Sequence, residues 1–84
     1  MNYPEKDKAL KPSEADVKLA IRRILADTKC WRTSLNYAIE YCKAVEGMTG
    51  EALHWQVLYI LSNISYWRSP GSKEVRSTLK AFVK

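Results

Sequence analysis

The sequence predicts an all-α fold, a small four-helix single domain preceded by a flexible N-terminal arm. Three observations carry this: apolar residues recur at helical spacing in four separate stretches, Gly, Pro and Ser punctuate the gaps between them, and no stretch alternates as a strand with hairpin turns would. Eighty-four residues allow one core.

Residues 1–12 mix Lys, Glu and Asp with Pro4 and Pro12 and show no period that could bury a face, so they read as the arm. The helical domain takes in residues 13–84. Ser13 is an N-cap, followed by Glu14 and Asp16 where the helix dipole favours acids. Val17, Ile21, Ile24 and Leu25 then give a core stripe, so the first helix is expected over about Glu14 to Asp27.

The DTKCW segment is expected to turn, with Asp27 or Thr28 capping a second helix. From Trp31 the pattern is helical again: Leu35, Ala38, Ile39, Cys42 and Val45 share one stripe, Tyr37 and Tyr41 flank it, and Asn36, Glu40 and Lys43 mark the wet side. Gly47 supplies the stop. A third helix starts at Thr49 or Gly50 and is expected to run to about Trp67, before Ser69, Pro70 and Gly71. Ser72 is the expected N-cap of a fourth helix, whose core face is Val75, Leu79, Phe82 and Val83.

The third helix has two apolar faces. Leu53, Val57, Ile60, Leu61 and Ile64 make one stripe, while Trp55, Tyr59 and Tyr66 gather on the other side. The expectation is that this helix is an axle wrapped by the other three, because a monomer rarely leaves such a patch in water. If its neighbours cover only the aliphatic face, the aromatic face needs a partner chain.

Charge is distributed unevenly. Residues 48–66 hold only Glu51, whereas the last eighteen residues set five basic side chains against Glu74, or +4 of the net +5. Lys73, Arg76, Lys80 and Lys84 fall on one stripe of the fourth helix, with Arg68 at its leading turn. Such a stripe can track phosphates, releasing counterions at each contact, although a solvated helix face shows the same spacing. The fourth helix has no Asn or Gln to pair with adenine, so any binding to DNA or RNA would be dominated by the backbone, with Arg76 able to reach guanine. Trp31 with Arg32 and Trp67 with Arg68 could stack on bases or form cation–π pairs within the fold. Ser62 and Asn63 could line a pocket, or bond back to their own helix.

Cys30 and Cys42 lack the paired spacing of a zinc site and are too few for a disulfide framework, and with His54 as the single histidine no metal or cofactor is expected. There is no Gly-rich phosphate loop, no H-E-x-x-H and no G-x-S-x-G, so an enzyme is not expected. No apolar run approaches a membrane span and the N-terminus is charged, so a cytoplasmic protein without membrane contact is expected. The first functional expectation is a small regulatory or accessory binding protein. It would contact nucleic acid, or a protein bound to it, through Arg68, Lys73, Arg76, Lys80 and Lys84. The alternative is a protein-interaction module, a homodimer or an inhibitor or adaptor, working through Tyr37, Tyr41, Trp55, Tyr59 and Tyr66.

Overall fold

A computed structural model describes residues 11–84, which form α1 (Glu14–Ala26), α2 (Ile39–Ala44), α3 (Gly50–Ser62) and α4 (Ser72–Val83), with short 3-10 turns at Thr28–Cys30 and Val45–Gly47. No strand occurs among the described residues. The expected arm lies outside them except for Lys11 and Pro12.

Ser13 begins α1 with a reciprocal capping box. Its Oγ accepts from the Asp16 amide at 3.1 Å, and the Asp16 carboxylate accepts from the Ser13 amide at 3.0 Å. The next residue serves a different helix: the Glu14 carboxylate accepts from the Gly50 amide at 2.8 Å, so α1 satisfies a first-turn donor of α3.

The expected helix from Trp31 is only partly formed. Residues 31–38 run as successive turns, in which the amides of both Thr33 and Leu35 donate to the Cys30 carbonyl and the Thr33 hydroxyl joins them. The Thr33 hydroxyl offers the backbone a local alternative to a helix, which accounts for the late start of α2. The burial pattern survives. Leu35, Ala38, Ile39, Cys42 and Val45 are all buried, because the turns advance the chain at nearly helical spacing.

α3 also ends earlier than expected, at Ser62 rather than near Trp67. Ser62 Oγ donates to the Leu58 carbonyl at 3.0 Å and Asn63 Nδ2 to the Tyr59 carbonyl at 2.8 Å, so side chains occupy carbonyls in the last turn. Ser62 and Asn63 therefore bond back to their own helix. Ile64 and Trp67 are still buried, carried inward by the irregular stretch that follows.

α4 is capped by Gly71, not by Ser72. Gly71 has φ 87°, a left-handed conformation that favours glycine, and a side chain there would run into the Arg23 guanidinium. Ser72 instead becomes the buried first residue of the helix.

The principal packing pairs are α1 with α4, α4 with α3, α3 with α2, and α2 with α1. The helices thus form a ring around one core of Val17, Ile21, Ile24, Leu35, Leu53, Val57, Ile60, Ile64, Trp67, Val75 and Leu79. Phe82 and Val83 pack partly buried against it. α3 is a member of this ring and not its axle. With α2 and α4 as its main neighbours, one face of α3 is left uncovered.

Candidate interaction surfaces

The uncovered face of α3 bears Trp55 and Tyr59, one helical turn apart and 53% and 51% exposed. This corrects the expectation that the aromatic stripe is buried within its own chain. The aliphatic residues Leu53, Val57 and Ile60 use up the inward arc, so residues about half a turn away must face out. Tyr41 of α2 is exposed and stacks on Tyr59, with ring centroids 5.6 Å apart. Gln56 Nε2 donates to the Tyr41 carbonyl at 3.0 Å and fixes that register.

Tyr37 is 75% exposed. Tyr37 lies in the last of the turns before α2; the Ile39 amide bonds to the Leu35 carbonyl and the Cys42 amide to the Ala38 carbonyl, a helical spacing that sets Tyr37 about one turn from Tyr41. Tyr66 is the most exposed of the five, at 81%, but it follows the end of α3 and does not continue the stripe. Tyr41 and Tyr59 therefore meet across α2 and α3, with Tyr37 one turn before Tyr41 and Trp55 one turn before Tyr59, where it borders a cavity shared with Lys11 and Phe82; Tyr66 stands apart. Along α3 the face is uncharged from Ala52 to Ser62; Glu51 lies at its start, and the pair of Glu40 with Lys43 (3.6 Å) stands on α2.

The basic residues divide differently. Lys73, Lys80 and Lys84 are exposed on α4 and form no ion pair among the described residues. Arg76 is turned inward: its Nη1 donates to the Trp67 carbonyl at 2.7 Å and the Ile64 carbonyl at 3.4 Å, and its Nη2 to Ser72 Oγ at 3.5 Å. The guanidinium ties the irregular stretch after α3 to α4. Arg68 is exposed, but its Nη1 folds back onto the carbonyls of Ser65 (2.6 Å) and Trp67 (3.3 Å). Two of the five expected phosphate contacts are thus engaged with the chain's own carbonyls.

The tryptophans that could stack on bases are also engaged. Trp67 is 1% exposed and its Nε1 donates to Asp27 Oδ2 at 2.8 Å. Trp31 is half-buried, gives its Nε1 to the Leu25 carbonyl at 3.1 Å, and carries the Lys43 ammonium 5.1 Å from its ring centre. This is a cation–π pair within the fold.

Asp27 caps no helix by its side chain. Hydrogen bonds from Ser69 and then Trp67 hold its carboxyl below the usual range against an opposing desolvation, with smaller help from Cys30 and Lys29. With Cys30 Sγ 3.6 Å from Ser69 Oγ, these side chains knit the end of α1 to the turn before α4. Sequence reasoning did not link them, because the pairing spans forty residues and two turns without periodicity. On the surface, Glu46 accepts both Arg22 donors at 3.0 and 3.1 Å, and Arg23 pairs with Glu74 at 2.9 Å.

Cys30 and Cys42 are free thiols, and burial pushes the Cys42 thiol up to about 12. No group of three or more His, Cys, Asp or Glu that could hold a metal ion occurs among the described residues. No helix among them is long and apolar enough to cross a membrane. Comparison with known proteins gives no matching family, no matching curated protein and no matching solved structure.

Proposed function

We propose that this chain is a protein-interaction module whose working surface is the aromatic face built by Tyr41, Trp55 and Tyr59, extended by Tyr37. The observation that carries the reading is the exposure of Trp55 and Tyr59 on a helix whose inward arc is already filled. Trp and Tyr bring large contact area at low side-chain entropy cost, and they are the residues enriched where truncation costs most binding energy. The long uncharged run of α3 matches the charge-poor centre of an interface. A stacking platform for single-stranded nucleic acid would need cations interleaved with the rings. Here Lys43 is paired with Glu40 and lies over Trp31, and Lys11 borders Trp55 alone of the three rings, in a cavity that also holds Glu51.

The nucleic-acid reading is reduced to Lys73, Lys80 and Lys84, a short exposed stripe on another helix. It remains a second reading on that observation alone, as a weak, salt-sensitive contact with phosphates.

The test is capture of partners by the immobilised full chain from the cells that make it. Tyr59→Glu should abolish capture, and nuclease treatment should leave capture by the unaltered chain unchanged. Capture that persists in Tyr59→Glu and disappears with nuclease would move the function to the lysine stripe.

A further inference from the structure

We infer that the occupant of the aromatic face is a second copy of this chain, docked about a two-fold axis with the two α3 helices antiparallel. This deepens the interaction reading and rests on it.

The first argument is charge. A two-fold interface sets a patch against its own copy, so a charged patch repels itself. The chain carries a net charge of +5, yet the exposed arc of α3 from Ala52 to Ser62 has no charged residue. This arc lacks the repulsion that the lysine stripe of α4 would meet on pairing with itself.

Shape gives the second argument. Trp55 and Tyr59 are bracketed along the same arc by the small residues Ala52 and Ser62, all of them exposed. An antiparallel register that sets Trp55 opposite the other copy's small Ser62 lets one ring of each copy lie over a small residue of its neighbour. Antiparallel pairing also opposes the two helix dipoles.

Area is the third. Tyr37, Tyr41, Trp55 and Tyr59 together leave on the order of 450 Å² of their surface uncovered, over half of the roughly 800 Å² per partner that a stable interface buries. Ala52 and Ser62, exposed on the same arc, add to it.

The experiment is sedimentation velocity on the full chain across the micromolar range, combined with acrylamide quenching of Trp55, obtained as the difference from Trp55→Phe. A species of twice the chain mass with a shielded Trp55 is expected, and Tyr59→Glu should weaken pairing about thirtyfold or more without loss of helicity. Should Tyr59→Glu unfold, Trp55→Lys takes its place at another exposed position. A dimer in which Trp55 is fully quenchable, or which both face variants leave intact, overturns the inference. A monomer with quenchable Trp55 also overturns it but leaves the interaction reading standing. A monomer with shielded Trp55 overturns both.

Discussion

The outward faces of α3 and α4 belong to neighbouring helices of one ring and present opposite surfaces. α4 turns Lys73, Lys80 and Lys84 to solvent, while α3 turns Trp55 and Tyr59 to it. Water solvates a lysine face at no cost, so that face is already satisfied by the folded chain alone. An aromatic face keeps an unfavourable contact with water until something covers it. Under the proposed interaction reading, this difference is why the larger local charge in the sequence counts for less than the aromatic face.

The sharpest way to break this comparison is through the tryptophans. Trp67→Ala should cost about 3–5 kcal/mol, enough to unfold much of a small domain, because the ring is buried and its N–H is bonded to Asp27. Trp55→Ala in a monomeric background such as Tyr59→Glu should cost within about 0.5 kcal/mol. Thermal melts of the two would refute the assignment of inner and outer rings if the costs were similar.

A similar contrast separates the basic residues. Arg76→Ala should destabilise the fold by about 1.5–3 kcal/mol, since it removes charged hydrogen bonds to the Ile64 and Trp67 carbonyls. Lys80→Ala should change stability by no more than about 0.5 kcal/mol. Denaturant midpoints that moved equally would remove the division between a structural arginine and a solvated lysine.

Two effects of pH should be smaller. The folded-state value of the Asp27 carboxyl is depressed, so its contribution is present above the usual carboxylate range and is lost as the pH falls through the folded value. Asp27→Asn should therefore flatten part of the acid limb of a stability profile. Cys42 behaves in the opposite sense. Its thiol is raised from 9.0 to about 12, so above pH 9 the unfolded chain loses a proton that the folded chain keeps, and stability falls. Cys42→Ala should remove that alkaline decline in melts followed from pH 8 to 10.

Much of this architecture is legible in the spacing of apolar residues. Val17, Ile21 and Ile24, or Leu53, Val57 and Ile60, announce which arc of a helix is buried, and the structure buries them. Helix length is less legible, because Thr33, Ser62 and Asn63 compete with the backbone locally and end or delay helices that the apolar period would continue. The side on which neighbours pack is not encoded in a period at all. Trp55, Tyr59 and Tyr41 could be named from the sequence as an aromatic group, but only the ring order of the helices leaves them outside. In the same way the sequence places Arg76 on the lysine stripe, and only the nearby carbonyls of Ile64 and Trp67 turn its guanidinium inward.

The most direct measurement compares the two faces with a photo-crosslinking benzoylphenylalanine placed at position 59 or at position 80 of the full chain in its own cells. The account predicts protease-sensitive, nuclease-resistant adducts from position 59 and none from position 80. Adducts formed only at position 80 and removed by nuclease would contradict it.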